Sequence, residues 1–307
     1  MMKLKILLVN SMFDAIIIGA GPAGLTSAIY LKRANKNVIV FDGKGFGGAI
    51  INTNKIDNYP GCFNITGFDF ANNLYQQAKE LGAIIKTEEV IEVTNGKLKT
   101  VVTNKGRYTA SVIIIATGCE TRKLGIEDKF IGRGVSYCAM CDGAFYKEKT
   151  VAVVGGGNSA IDDTIYLADI AKKVYLIHRR DEFRADKKSL DLLKKKNNIK
   201  YILNSNIIKI NGEDTIKSIE VNTKDKENKV FSIDGLFIAI GGIPATKLFQ
   251  NILNLTKDGY IKSTNCHTNK RGIFVAGDVR EKEVRQLVTA TSDGAIAAIE
   301  AIKYLNK

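Results

Sequence analysis

Phe13-Asp14-Ala15-Ile16-Ile17-Ile18-Gly19-Ala20-Gly21-Pro22-Ala23-Gly24 is a short apolar run that ends in a glycine fingerprint. A run of this kind reads as a strand of a parallel sheet, buried on both faces, and glycines in G-x-G-x-x-G spacing read as the turn into a nucleotide-binding helix. Downstream, Leu25 to Asn35 reads as that helix and Asn37-Val38-Ile39-Val40-Phe41 as the next strand, which completes a βαβ unit. The same cycle returns at Thr150-Val151-Ala152-Val153-Val154, then Gly155-Gly156-Gly157-Asn158-Ser159-Ala160, a helix from Ala160 to Ala171, and Lys173-Val174-Tyr175-Leu176-Ile177. The fold class is therefore α/β, with two Rossmann-like three-layer (ββα) nucleotide-binding domains.

Two further apolar runs with glycine ends bracket the second unit, Val112 to Gly118 and Leu236 to Gly242. They read as the places where the chain leaves one domain and returns to it. Beyond the return, Gly272 to Asp278 reads as another buried strand ending in an acid, followed by a helix from about Gln286. The second domain is expected as an insertion over 117–242 in a first domain built from 1–116 and 243–307. Residues Met1 to Ser11 precede the first strand, with Met12 a candidate start, and are expected to contribute nothing to catalysis.

Composition removes several function classes. The 307 residues are 45% hydrophobic, enough to fill two cores, and no apolar run approaches the roughly 18 residues a membrane span requires. Lys3 to Val9 is too short for a secretory core. With only five cysteines and no disulfide framework, a cytoplasmic, reducing location is expected. The net charge of +13 raises nucleic acid as a partner, but Lys194-Lys195-Lys196 and Lys224-Asp225-Lys226 are scattered and lack the interleaved aromatics that stack bases. No nucleic-acid partner is expected; anionic cofactors and an acidic protein partner would use part of the charge.

In the first fingerprint Gly19 serves the tight turn, Gly21 lets backbone approach a pyrophosphate, and Gly24 lets helix and strand pack. Pro22 and Ala23 complete the loop, and Asp42, at the end of the second strand, is placed for a ribose. In the second fingerprint, Gly155, Gly157, Asn158 and Ser159 form the loop, but the following strand ends in His178-Arg179-Arg180, with Arg184 just beyond, where an NAD site would offer an acid. Guanidinium groups bind a 2′-phosphate bidentately, so this nucleotide is expected to be NADPH.

Between the two fingerprints lies Cys138-Ala139-Met140-Cys141. Chance placement of five cysteines yields only ~0.07 pairs at this spacing. Zinc needs a second pair, which neither Cys62, Cys119 and Cys266 nor the histidines His178 and His267 supply, so no metal is expected. A redox dithiol fits better, because the thiolate of a Cys-x-x-Cys pair attacks disulfides. Breaking a disulfide needs a proton at the leaving sulfur; Asp142 is the adjacent candidate, and no histidine lies near it in sequence. Cys62, Cys119 and Cys266 read as ordinary core or sub-surface thiols.

Taken as a set, Gly19 to Gly24, Ala116-Thr117-Gly118, Cys138 to Gly143, the second glycine loop, His178-Arg179-Arg180 and Ala276-Gly277-Asp278 resemble the low-molecular-weight, bacterial-type thioredoxin reductases, from about Phe13 to the C-terminus. The resemblance implies FAD in the first domain, held also by Gly47, Gly48, Asn54, Gly118, Asp278 (toward the ribityl chain), Arg285, Gln286 and Leu287, and NADPH in the inserted domain, with Gly241 at its edge. It implies that Cys141 lies against the flavin, that Cys138 attacks thioredoxin, that Asp142 is the acid, and that the protein is a homodimer. Nicotinamide and dithiol must both reach one flavin ring, so the inserted domain is expected to rotate about the crossings near Thr117 and Gly241-Gly242. The chain departs from the pattern at Ala49, where many members have Gln, and at Leu287, where many have Ala; the first removes an amide near the flavin. Other readings are a flavoprotein reductase serving another thioredoxin-like or peroxiredoxin partner, or an FAD- and NADPH-binding redox sensor without turnover.

Overall fold

The computed structural model describes residues 12–53, 55–223 and 227–307. The Met1–Ser11 extension, Asn54 and the run Lys224-Asp225-Lys226 lie outside the described residues. In chain order the first passage contains β1 (Met12–Ile18), α1 (Pro22–Arg33), β2 (Val38–Phe41), α2 (Gly67–Glu80), β3 (Ile84–Lys86), β4 (Val90–Thr94), β5 (Lys99–Thr103), β6 (Arg107–Ile115) and β7 (Cys119–Thr121). The middle passage contains β8 (Val135–Ser136), α3 (Ala139–Asp142), β9 (Thr150–Gly155), α4 (Asn158–Ala168), β10 (Lys173–Ile177), α5 (Lys187–Leu193), β11 (Ile199–Ile202), β12 (Asn206–Gly212), β13 (Ile216–Asn222), β14 (Asn228–Ser232) and β15 (Gly235–Ala239). The last passage contains β16 (Gly242–Pro244), β17 (Ile273–Val275) and α6 (Leu287–Leu305).

The chain divides into two compact units, one of Met1–Glu120 with Ile243–Lys307 and the other of Thr121–Gly242. In the first, β3, β2, β1 and β6 lie side by side in parallel, and β17 pairs with the far half of β6, Ile273 opposite Ile113. The near half of β6 takes β5 instead, antiparallel, and β4 follows in a meander. Alternation divides the core. Ala15 and Ile17 of β1, with Val112 and Ile114 of β6, point to the side covered by α1 and α6, while Ile16, Ile18, Ile113 and Ile115 point to the side covered by the meander and Phe249, Leu253 and Ile261. That two-sided burial, worth about 1.5–3 kcal/mol per large aliphatic side chain, is why Ala15 to Ile18 of β1 and Val112 to Ile115 of β6 are unbroken apolar runs.

The second unit repeats the scheme. Its sheet is β11-β10-β9-β15-β8, parallel throughout, with α4 on one side and the antiparallel trio β12-β13-β14 on the other. Both units are thus three-layered α/β nucleotide-binding folds. The two passages between them, β7 and β16, pair as a short ribbon. Among the described residues no helix is long and apolar enough to cross a membrane.

Candidate active site

Gly19 ends β1 with φ +109, a conformation that penalises any side chain, and a Cβ there would overlap the Ala116 carbonyl. Gly24, inside the first turn of α1, would strike the Gly19 carbonyl oxygen if it had a Cβ. These two glycines let the strand, turn and helix close on one another. Gly21 is the N-cap of α1 and Pro22 its first residue; no side chain caps the helix, so its leading N–H groups are left to a ligand or solvent. Ala23 is buried in the helix face.

Asp42, at the end of β2, is tied into this loop. Its Oδ2 accepts the Ala20 N–H at 2.8 Å and its Oδ1 the Lys44 N–H at 2.9 Å. The carboxylate therefore shapes the turn. Gly47 donates its N–H to the Ala20 carbonyl at 2.8 Å, bringing Gly47 and Gly48 beside Gly21. Gly118 follows β6 with open space before it, and its carbonyl accepts the Ala245 N–H at 3.1 Å.

The return passage supplies the other wall. Asp278 follows β17; its Oδ1 is buried and accepts no hydrogen bond, although Lys282 Nζ lies 3.1 Å away. Arg285 stacks its guanidinium over the Tyr260 ring at 4.0 Å and leaves its buried Nε without a partner. Gln286 is the N-cap of α6, whose first residue is Leu287, and caps the Thr289 N–H with its own side chain in a capping box. An uncapped helix start beside clustered glycines, with an orphaned carboxylate oxygen, is a donor and acceptor set that fits a dinucleotide.

In the second unit Gly155 is packed against Ala239 and Ala160, and Gly157 is the uncapped N-cap of α4 with open space before it. Asn158 does not face outward unpaired: its amide donates to Asp186 Oδ2 and accepts the Asp186 N–H, both at 2.8 Å. Ser159 is exposed beside it. The Arg184 N–H bonds to the Gly156 carbonyl at 2.6 Å and Arg184 bridges Gly157, which draws the arginine segment to the glycine loop. Arg179 and Arg184 are exposed and Arg180 half-buried, and none of the three forms an ion pair among the described residues.

His178 has a different place from the arginines with which the sequence groups it. It is buried, its ring lies where a Cβ of Gly156 would be, and its Nε2 faces the Glu182 carbonyl at 3.2 Å. Burial, and then the neighbouring arginines, hold its pKa below the ordinary histidine range. The ring therefore packs beneath the glycine loop. Gly241, φ +96, follows β15 and accepts the Arg122 N–H through its carbonyl at 3.1 Å.

Cys138 and Cys141 form a disulfide, with Cα atoms 5.3 Å apart across the single turn of α3. Cys138 is the N-cap of that turn, and its Sγ accepts the Cys141 N–H at 3.2 Å. Asp142 closes the turn, half-buried; burial raises its pKa above the usual carboxylate range, and a hydrogen bond from Ser136 opposes the rise. Ser136 Oγ also accepts the Cys138 N–H at 3.0 Å, so one hydroxyl ties the first sulfur's backbone to the acid. Sequence reading missed Ser136 because nothing in Val135-Ser136 signals a partner. Cys62, Cys119 and Cys266 are free thiols; Cys266 is wholly buried, and its pKa is pushed up to about 11 by desolvation.

The profile of the pyridine nucleotide-disulphide oxidoreductase family matches residues 13–294, and the chain belongs to that family. Within it the similarity runs to the bacterial-type thioredoxin reductases, as the motifs imply. The chain is 43% identical over 304 residues to the thioredoxin reductase of Listeria monocytogenes, covering 97% of this chain and 95% of that one. It is 40% identical over 304 residues to a bifunctional thioredoxin reductase/thioredoxin of Mycobacterium leprae, covering 96% of this chain and 66% of that one. The crystal structure of thioredoxin reductase from Streptococcus pyogenes superposes with a TM-score of 0.91 at 38% identity, over 97% of this chain and 99% of that one.

Proposed function

We propose that the protein is an NADPH-dependent flavoprotein that reduces the disulfide of thioredoxin. The observation that supports this most is the Cys138–Cys141 disulfide beside a half-buried acid, on the same unit as an arginine-flanked glycine loop. The Mycobacterium leprae relative, named as reductase and thioredoxin on one chain, supports thioredoxin as the partner. A cytoplasmic location and a homodimer are expected from the same kinship.

Unit 1 would hold FAD with the Gly19–Gly24 turn, Asp42, Gly47, Gly48, Gly118, Asp278 and the α6 start, and unit 2 would hold NADPH with Gly155, Gly157 and Arg179, Arg180 and Arg184. When bound, the flavin supplies two electrons, drawn from NADPH, to the disulfide. As the Cys138–Cys141 bond breaks, Asp142 delivers a proton to the departing sulfur. Asp142 takes that proton back, and the Cys138 thiolate, supported by the Cys141 N–H, attacks one sulfur of the thioredoxin disulfide, forming a mixed disulfide and expelling the other thioredoxin sulfur, which takes up a proton. Cys141 attacks Cys138 in turn, which restores the internal bond and releases thioredoxin as a dithiol. Both the nicotinamide and the dithiol belong to the inserted unit and must take turns at one flavin, so turnover calls for movement about the β7 and β16 crossings.

The test is a coupled assay with purified oxidised thioredoxin, NADPH and the holoprotein, with Asp142→Asn alongside. The wild type is expected to turn over continuously. Asp142→Asn is expected to lose about 10²–10³-fold in kcat, the share a positioned acid contributes. The raised pKa of Asp142 keeps it protonated to higher pH than an ordinary carboxyl, so wild-type turnover falls as pH rises through that pKa; the variant's profile lacks that limb. Flavin reduction without thioredoxin turnover in the wild type would instead identify a sensor.

A further inference from the structure

Behind Asp278 lies a group of charges that the reaction scheme does not use. Asp293, on α6, is buried: its Oδ1 accepts from Arg280 Nη1 at 2.6 Å, and its Oδ2 accepts the Gly277 N–H and Lys282 Nζ, each at 3.1 Å. Arg280 Nε also donates to Ser263 Oγ at 3.0 Å. The Lys282 ammonium is the junction. Its side chain is only 10% exposed, and besides Asp293 it reaches Asp278 Oδ1 at 3.1 Å and the Thr289 hydroxyl at 3.3 Å. Thr289 Oγ1 in turn accepts the Gln286 N–H at 3.1 Å and so caps the start of α6.

We infer that Lys282 is a positioning residue that locks the Asp278 carboxylate and the N-terminus of α6 into one frame for the flavin, with Asp293 and Arg280 as its base. The inference rests on the flavin reading above, because Asp278 and the α6 start are two of the groups assigned to that site. Three observations support it. A buried ammonium that hydrogen-bonds Thr289 and Asp293 of α6 and also contacts Asp278 in the loop before it is costly to form unless loop and helix must hold a fixed relation. Its contact with Asp278 leaves Oδ1 without a hydrogen bond, so the carboxylate is charge-balanced yet still has an acceptor to offer. The group is also balanced in charge: Arg280 and Lys282 pair with Asp278 and Asp293. Without the ammonium the balance turns negative beside the negative charge that reduction adds to the flavin, so Lys282 both orients the site and keeps the flavin's midpoint potential higher.

The test uses purified holoprotein and two readouts other than turnover: the rate of FAD release on dilution, followed by flavin fluorescence, and the flavin midpoint potential. Lys282→Met is expected to release FAD about tenfold to hundredfold faster and to shift the potential to more negative values. Lys282→Arg, which keeps the charge, stays near the wild-type potential, and Lys303→Met, a surface lysine elsewhere on α6, changes neither quantity. Should Lys282→Met fail to fold, Lys282→Gln keeps a donor and bears the same expected fall in potential. A folded Met or Gln variant with wild-type release and potential overturns the inference while leaving the flavin reading intact. A wild-type chain that takes up no FAD overturns the flavin reading, and the inference with it.

Discussion

Cys138→Ser is expected to abolish thioredoxin reduction, by about 10³-fold or more in kcat, while NADPH still bleaches the flavin at close to the wild-type rate. The size of the effect follows from the absence of a substitute. Cys141 retains a thiol, but a hydroxyl at position 138 neither attacks a disulfide at neutral pH nor closes the internal bond that releases product. The remaining thiols do not replace it: Cys266 is buried with its pKa near 11, burial likewise raises that of Cys119, and Cys62 belongs to the other unit. Stopped-flow absorbance separates the two half-reactions. Equal loss of both rates would contradict the assignment of Cys138 to the outward step.

The double variant Arg179→Ala/Arg180→Ala is expected to raise KM for NADPH by about 10²-fold or more and to leave KM for NADH nearly unchanged. Each charge-assisted hydrogen bond to a phosphate contributes about 1.5–3 kcal/mol, and two of them in a half-exposed site, discounted for solvent, account for that factor. The arginines are held to this task by Arg184, whose backbone is bonded to Gly156, and no ion pair among the described residues competes for them. Steady-state kinetics with both nicotinamides checks it; a parallel rise for NADH would show that the arginines support the loop and do not read the 2′-phosphate. His178→Asn should behave in that second way, because its ring packs under Gly156.

The parts of the fold visible in sequence are those with local causes. Both βαβ units announce themselves because strands buried on two faces must be apolar throughout and the glycines mark where backbone meets backbone. Boundaries set by distant partners were not visible in the sequence. β6 begins at Arg107, ahead of the apolar run at Val112, because the meander strand β5 pairs with residues 107–110. Helix α1 starts at Pro22 and not at Leu25, since the proline's missing N–H is no loss at a first helical position and Gly24 is tolerated there for its packing on Gly19. The antiparallel trio β12–β14 leaves a weak pattern: only β13 alternates, β12 buries two scattered isoleucines, and β14 buries nothing.

The site divides along the same line. The dithiol, its acid and the glycine loops are motifs of adjacent residues, so the sequence displays each of them whole. Ser136, Lys282 and Asp293 act across turns and between a loop and a helix, so in sequence they look like a lone serine and solvated charges. His178 differs from the two arginines beside it in sequence: it is buried with its ring against Gly156, while Arg179 is exposed and Arg180 half-buried.

The central claim is that electrons leave the protein through Cys138 and Cys141. Anaerobic incubation of the holoprotein with one equivalent of NADPH, followed by rapid alkylation and peptide mass measurement, tests it directly. The account predicts label on Cys138 and Cys141 only after NADPH is added. Flavin reduced by NADPH with both cysteines still joined and unlabelled would contradict it.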